Sequence, residues 1–282
     1  QICATHENRY PQIISMALTE QQIPIYVINL SSSPDRWINA SEQMDKLGLV
    51  CIRFDAVDGT KFTDEDVNSA CDMERSIRWT YDLTRPEIGC YLSHIHLWEK
   101  IADSDDQGAF IFEDDFIVKD DLPAVLNDLS ALSFFHPTIV KLYDQYPPTR
   151  FIDCGFLTEN HKLTIPRHVP LCTVAYYINK SAAERLAQMK GKFFRPIDED
   201  LRLRWETQVD VFLISPTPIM SKTAYTESSI ETQRFIRNQK YTKTLSSRIR
   251  KFFGRDLYYR IGNRLFNTLP RSRRMDYKRN HE

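Results

Sequence analysis

The run from Ile23 to Leu30, IPIYVINL, constrains this chain more than any other feature. Its side chains are almost all apolar with no polar alternation, which suits a strand buried on both faces rather than one with a wet side. The chain then breaks into Ser31-Ser32-Ser33-Pro34, where Ser33 suits an N-cap and Pro34 the first helical position. Trp37, Ile38, Met44 and Leu47 continue at roughly helical spacing, and Gly48 fits the helix stop.

The same alternation of strand and helix recurs. Val50 to Phe54 reads as a second strand, closed by a turn from Asp55 to Gly59. Thr84-Arg85-Pro86-Glu87 reads as a capping box opening a helix. On that helix Ile88, Leu92 and Ile95 are predicted to face the core, with Glu87, Cys90, His94 and Trp98 on a neighbouring stripe. Ala109 to Phe112 is a third strand, and Glu113-Asp114-Asp115 follows it at once. Further strands are expected over Thr138–Tyr143, Thr173–Ile178 and Val209–Ser215, with a helix over Lys180–Met189. The pattern predicts an α/β fold with a mainly parallel, Rossmann-like sheet.

Composition excludes several classes. With 42% hydrophobic and 27% charged residues the chain is neither disordered nor fibrous. No apolar run approaches the roughly 18 residues of a membrane span. The six cysteines (Cys3, Cys51, Cys71, Cys90, Cys154, Cys172) are scattered without a C-x-x-C pair and read as reduced structural thiols. A zinc site would want clustered Cys and His, and the sequence presents no such cluster. Residues 1–22 lack the basic start and apolar core of a secretory signal, which with the thiols predicts a cytoplasmic protein. The net charge of −1 is unevenly spread: residues 248–282 hold eleven Lys+Arg and three acidic residues, a net of +8, leaving −1 − 8 = −9 for the rest. A basic tail on an acidic body suggests an anionic partner for the tail.

Glu113-Asp114-Asp115 is the sharpest chemical feature. Carboxylates just past the carboxyl end of a buried strand lie where α/β sheets bind ligands, and together they suit a hard cation such as Mn²⁺ or Mg²⁺. The competing reading is a solvated acidic turn, as expected for Asp105-Asp106 and Asp120-Asp121. The Ser-rich turn after the first strand offers helix-terminal N–H groups to a phosphate, with Arg36 adding charge, although taken alone a surface arginine is the stronger reading of Arg36. No G-x-G-x-x-G or Walker lysine accompanies it. His94 and His96 are two apart on a helix and point about 200° from each other, so they do not share an ion. Asp198, Glu199 and Asp200 after Pro196 form a second acidic cluster, which also suits a helix N-terminus.

Taken in order, INL-x5-R at 28–36, AVDG at 56–59, E-I-G-C-x-L-S-H at 87–94 and F-E-D-D at 112–115 resemble glycosyltransferase family 25, the lipooligosaccharide/lipopolysaccharide glycosyltransferases of Gram-negative bacteria. The resemblance covers about 25–215, and Thr173-Val-Ala-Tyr-Tyr and Pro196-x-Asp198 look like later blocks of that family. It implies a GT-A-type fold, a UDP-sugar donor, a divalent cation and inversion at the anomeric carbon. Galactose is the first expectation for the sugar, and glucose or an N-acetylhexosamine the alternatives. Glu113 and Asp115 would serve the metal, and Asn29, Arg36, Asp58, Gly59, His94 and Asp114 the donor. Trp37 stands where many members carry a second arginine.

The implied organisation is an N-terminal extension over 1–22 and a catalytic domain over 23–220, followed by a basic helical tail over 221–282. The donor half of the domain would cover about 23–120 and the acceptor half about 121–220. An inverting transfer needs a carboxylate base ionised at neutral pH and distinct from the metal ligands. Asp198 is the first candidate and Asp200 the second. In the tail, Arg248, Arg250, Lys251 and Arg255 intersperse with Ile249, Phe252, Phe253, Leu257, Tyr258 and Ile261. That mixture suits peripheral attachment to an anionic leaflet, the cytoplasmic face of an inner membrane, where a lipid-linked oligosaccharide acceptor would lie. Two other readings stand beside this one. A Mg²⁺-dependent phosphohydrolase would want a nucleophile after the first strand, where Asn29-Leu30-Ser31-Ser32 supplies none. A nucleic-acid-binding protein led by its tail would have to overcome repulsion by the acidic body, so no nucleic-acid partner is expected.

Overall fold

Alternation along the central strands decides the layering. A computed structural model describes residues 23–79, 82–145, 151–189, 191–221, 255–267 and 277–279. In β1 (Ile25–Asn29), Ile25 and Val27 enter one apolar cluster while Tyr26 and Ile28 enter the other. In β3 (Gly108–Glu113), Phe110 and Phe112 face the first cluster and Ala109 and Ile111 the second. The first cluster is closed by Ala40 and Met44 of α1 (Pro34–Lys46) and by Leu122, Val125, Leu126 and Leu129 of α5 (Leu122–Ser130). The second is closed by Ile88, Leu97 and Ile101 of α4 (Arg85–Asp103) and by Ala182, Ala183 and Leu186 of α6 (Lys180–Ala187). Burial on both faces therefore comes from helices on both sides of one sheet.

The sheet adds β2 (Ile52–Asp55), β6 (Thr138–Lys141), β7 (Phe151–Phe156), β8 (Lys162–Pro166), β9 (Ala175–Asn179) and β10 (Asp210–Ser215), in the order β2-β1-β3-β9-β6-β10-β8-β7. β1 pairs in parallel with β2 and β3, and β10 with β6. β9 runs antiparallel between β3 and β6, and β8 runs antiparallel to both β10 and β7. The expected mainly parallel sheet is thus corrected to a mixed one. Its larger part still runs one way, with β9 reversed through the middle. Composition gave no warning, because an interior strand buried on both faces is apolar whichever way it runs.

Helix α4 departs from its expected face. Leu92 and Ile95 are only partly buried, whereas Ile88, Tyr91, His94, Leu97, Trp98 and Ile101 are buried. The stripe carrying His94 faces inward. Thr84 and Glu87 do form the expected capping box, whereas Ser33 makes no side-chain cap on α1. Gly89 lets α4 touch the turn after β2: a Cβ there would lie 2.6 Å from both Gly59 N and Val57 O. A methyl group at Gly59 would in turn lie 1.9 Å from Arg85 O. Ser93 completes the contact by accepting a 2.8 Å bond from Val57 N. The two glycine motifs are the two sides of one backbone contact.

Beyond the sheet lie α2 (Asp64–Ala70), α3 (Met73–Trp79), α7 (Ile197–Arg202), α8 (Arg204–Thr207) and α9 (Leu257–Asn267). Two short antiparallel pairs complete the fold. One joins β4 (Phe116–Val118) to β11 (Ile219–Ser221), and the other joins β5 (Leu132–Phe134) to β12 (Tyr277–Arg279). Helix α9 is fastened to the body. Asn263 accepts a 3.1 Å bond from the buried Arg204 and donates one of 2.8 Å to Arg167 O. A Cβ on Gly262 would fall 2.2 Å from the Trp205 ring, so glycine is what admits this approach. Residues 1–22 and the basic stretch around Arg248, Ile249, Arg250, Lys251, Phe252 and Phe253 lie outside the described residues. Among the described residues, no helix is long and apolar enough to cross a membrane.

Candidate functional site

Register sets up the site before any side chain is considered. Ile28 pairs with Glu113, Phe112 with Ala175, and Lys141 with Tyr176. The carboxyl ends of β1, β3 and β6 and the start of β9 therefore meet at one edge, with Asn29, Glu113, Lys141 and Thr173 on it. Ligands bind at this edge in open α/β sheets.

The three consecutive carboxylates do different things. Asp114 is clamped: Asn29 Nδ2 donates to it at 2.7 Å and Arg36 Nη1 at 2.8 Å. Asn29 is itself fixed, donating to Ser33 O at 3.0 Å and accepting from Arg53 Nε at 3.0 Å. Burial raises the Asp114 carboxyl despite the opposing pull of Arg36 and Asn29.

Glu113 is held from the other side. Thr173 Oγ1 donates to Oε1, and His94 Nε2 lies 3.3 Å from the same oxygen. Behind His94, Nδ1 sits 2.8 Å from Tyr176 OH, which accepts from Trp98 Nε1 at 2.9 Å. The tryptophan is only a donor, so the tyrosine hydroxyl has its own proton to offer to Nδ1, an arrangement in which Nε2–H faces Glu113. Burial, the largest influence on Glu113, acts to raise its carboxyl. The bonds from His94 and Thr173, with the charge of Lys141, nevertheless hold it below the ordinary value.

Asp115 is the exception. Its Oδ1 is buried with no hydrogen-bond partner among the described residues, and Oδ2 lies 3.5 Å from Ser221 Oγ. Burial, with the charges of Glu113 and Asp114 acting against Arg36, pushes its carboxyl up to about 7. A buried carboxylate oxygen facing two further carboxylates is unfavourable in a bare protein and natural in one that receives a cation. A hard divalent cation fits this oxygen. A softer set also assembles here, since Cys90, His94 and Glu113 bring ligand atoms within 4.8 Å of one another. Cys90 and His94 are one helical turn apart on α4, which corrects the expectation that cysteine and histidine stay unclustered. His94 Nε2 and Glu113 Oε1 already engage each other, so this set is less open than Asp115.

The segment before β9 ties the acidic α7 to the same edge. Lys141, 2% exposed within its strand, donates to Pro170 O at 2.7 Å, Leu171 O at 3.1 Å and Cys172 O. Burial lowers its ammonium to about 8. Cys172 has a left-handed φ of 67°, and its N–H donates to Asp198 Oδ2 at 3.2 Å. Asp198 is therefore bonded to the residue that precedes Thr173, the partner of Glu113. Asp200 points elsewhere. It is 6% exposed, accepts from Tyr91 OH at 2.7 Å, and lies 2.5 Å from Arg195 Nε. Burial raises it to about 6 against the pull of Arg195.

The structure thus brings together Asn29, Arg36, Glu113, Asp114, Asp115 and Asp198, with His94 behind them. Four of the expected site residues are already engaged within the fold. His94 has both nitrogens occupied and positions Glu113 rather than facing a donor. Gly59 packs on α4, and Asp58 caps its own turn, accepting from Thr60 Oγ1 at 2.6 Å. Asp200 belongs to the Arg195 ion pair, leaving Asp198 the more accessible carboxylate of α7. Sequence reasoning missed Arg53 and Lys141, and gave no role to Thr173 and Tyr176 although both lie in the Thr173-Val-Ala-Tyr-Tyr block. A lysine inside the apolar stretch Thr138–Tyr143 was a readable signal.

The family model described as Glycosyltransferase family 25 (LPS biosynthesis protein) matches residues 22–201. Proteins named "Glycosyltransferase 25 family member" from Aedes aegypti and Anopheles gambiae are 34% and 33% identical over 98 and 100 residues. Each of these matches covers 32% of this chain and 16% of the relative. An "Inactive glycosyltransferase 25 family member 3" from Mus musculus is 26% identical over 123 residues, covering 42% of this chain and 20% of that protein. The chain therefore spans only about a sixth to a fifth of the curated relatives it matches.

Proposed function

The chain belongs to glycosyltransferase family 25, and on that premise we propose that it transfers a hexose from a UDP-sugar to an oligosaccharide acceptor, with inversion and with the help of a divalent cation. Galactose is the first choice of sugar and glucose the second. The observation that carries the reading is Asp115: a buried, unpartnered carboxylate oxygen at the carboxyl end of β3, beside two carboxylates already held by their neighbours. When bound, Mn²⁺ or Mg²⁺ supplies charge neutralisation for the departing diphosphate. The other roles fall to the chain. Asp115 holds the cation. Arg36 and the turn after β1 face the diphosphate, and Asn29 and Arg36 keep Asp114 oriented. His94 and Thr173 keep Glu113 ionised. Asp198 takes the proton from the attacking acceptor hydroxyl.

A lipid-linked acceptor and a membrane-facing tail on the cytoplasmic leaflet belong to the same proposal. Their support is α9, where Ile261 is 51% and Leu265 64% exposed beside the exposed Arg260 and Arg264. The test is UDP release from UDP-galactose, UDP-glucose, UDP-GlcNAc and UDP-GalNAc with lactoside and heptoside acceptors. The expected result is acceptor-dependent release that EDTA abolishes and Mn²⁺ restores. Full activity in excess EDTA rejects the metal role, and no release from any donor rejects the transferase reading.

A further inference from the structure

We propose that a pocket between α3, α7 and α9 binds an anionic substituent, phosphate or carboxylate, carried on the acceptor sugar. The proposal rests on the transferase reading above and names a feature of its acceptor. The pocket has a volume of about 260 Å³, with Trp79 and Tyr259 as aromatic walls and Arg202, Arg255 and Arg260 as cations. That volume is below the roughly 300–1,000 Å³ of pockets that enclose a whole ligand. It suits one charged sugar unit rather than a length of glycan.

Three observations point to an anion. First, the three arginines outnumber the carboxylates of the wall, Glu199 and Asp256. Arg255 engages both, at 3.2 Å to Glu199 Oε1 and 3.0 Å to Asp256 Oδ1, so both carboxylates share one of the three cations. Second, two donors in this wall are orphaned: Arg202 Nε and Tyr259 OH are both buried without a hydrogen-bond partner. The Arg202 guanidinium lies 4.1 Å from the centroid of the Tyr259 ring, so these two donors belong to one stacked pair. Buried donors are normally satisfied, and an oxyanion offers several acceptor oxygens with the charge to match a guanidinium. Third, the pocket borders α7, the helix that carries Asp198. Glu199, held by Trp79 Nε1 at 2.9 Å, follows Asp198 directly in α7. A sugar whose charged group enters here lies against the helix that carries the proposed base.

The test is equilibrium binding to the full chain, without turnover. Glucose 6-phosphate and glucuronic acid are the probes, with methyl glucoside and inorganic phosphate as controls. The charged sugars are expected to bind at least about tenfold more tightly than methyl glucoside, as a hydrogen bond to an ionised group implies. Arg202→Gln and Tyr259→Phe should each reduce that preference about tenfold. Tyr259→Phe removes a single oxygen and keeps the ring, so it preserves the test should Arg202→Gln fail to fold. Equal binding of methyl glucoside overturns the proposal, as do variants that bind like the parent. Inorganic phosphate binding as tightly as glucose 6-phosphate overturns the acceptor assignment. UDP with Mn²⁺ is titrated on the same samples. Loss of UDP binding with sugar binding intact rejects the transferase reading, whereas the reverse rejects only the pocket.

Discussion

Replacing Asp115 with asparagine separates the cost of the acidic triplet from its use. In the protein without ligand, Asp115 Oδ1 is buried and unpartnered, and Glu113 and Asp114 stand beside it. A buried unsatisfied polar group costs about 1–3 kcal/mol, and more when it is charged. Asparagine keeps the shape and removes the charge. Part of that cost remains because the amide is also polar, so Asp115→Asn should stabilise the bare protein by about 1–2 kcal/mol at pH 8. For a chain of this size that is a rise in Tm of roughly 2–8 °C. With ligand the order should reverse. At a hundredfold excess over Kd, UDP with Mn²⁺ stabilises the parent by about 2.7 kcal/mol. The variant should show almost none of the increment that Mn²⁺ adds to UDP alone. Thermal unfolding in four conditions (bare, UDP, UDP with Mn²⁺, and the last with EDTA) reads both effects. A variant that keeps the Mn²⁺ increment refutes the ligand assignment. One that is less stable than the parent without ligand refutes the account of an uncompensated charge.

Asp198→Asn should lower turnover by about 10²–10⁴-fold, the usual weight of a general base, with UDP and Mn²⁺ binding nearly unchanged; single-turnover kinetics and a UDP titration decide this, and wild-type turnover removes Asp198 from the role. Asp200 gives a pH signature of unusual sign. Its folded value of about 6 lies above the ordinary 3.8, so the folded protein binds the extra proton between those values, and stability from this group rises as pH falls from 7 to 4. The parent should therefore gain up to about 3 kcal/mol over Asp200→Asn in that window, measured by urea unfolding; a constant difference between the two shows that the raised value is wrong. The membrane reading is tested without cutting the tail, because α9 holds Arg204 through Asn263. Ile261→Asp with Leu265→Asp should abolish co-sedimentation with anionic vesicles yet spare transfer to a soluble acceptor, and unchanged sedimentation removes α9 from any membrane contact.

The layering of the fold was legible because β1 and β3 spend all their side chains on burial, and only helices on both faces of the sheet satisfy that demand. The place of the site was legible for a related reason: three carboxylates after such a strand have no other edge to occupy. Their division of labour was not. Asp114 is set by Asn29, 85 residues earlier, and Glu113 by Thr173, 60 residues later. The second of these contacts exists because β9 reverses direction and brings its first residues to the end of β3. A lone sequence carries no signal for that reversal. The hairpin of β7 and β8 was equally hidden, since β7 is largely exposed and shows no buried period. The glycine motifs were legible as motifs but not as a contact. Gly59 and Gly89 act on each other across 30 positions, and the outcome of their approach is the placement of α4, which carries His94 to Glu113.

That division of labour has a consequence for how the cation arrives. Asp114 is spent on Asn29 and Arg36, and Glu113 Oε1 on His94 and Thr173, which leaves Asp115 with the clearly uncommitted oxygen. Mg²⁺ and Mn²⁺ are oxygen-seeking ions, and Mg²⁺ is usually held by one or two carboxylates together with substrate phosphates and water. One free carboxylate is a poor cage, so the protein alone should hold the cation weakly and the donor diphosphate should supply what is missing. Linkage then requires the effect to be mutual: UDP must tighten Mn²⁺ by the same factor by which Mn²⁺ tightens UDP. Coupling of this kind is commonly about 1–3 kcal/mol, a factor of roughly 5–150. Calorimetric titration of Mn²⁺ into the protein with and without UDP, and of UDP with and without Mn²⁺, measures the factor twice. Uridine, which lacks the phosphates, should produce none of it. Tight binding of Mn²⁺ without UDP would mean that Glu113 or Asp114 gives up its present partners to the ion. The clamps on these two residues would then be a resting arrangement rather than the working one.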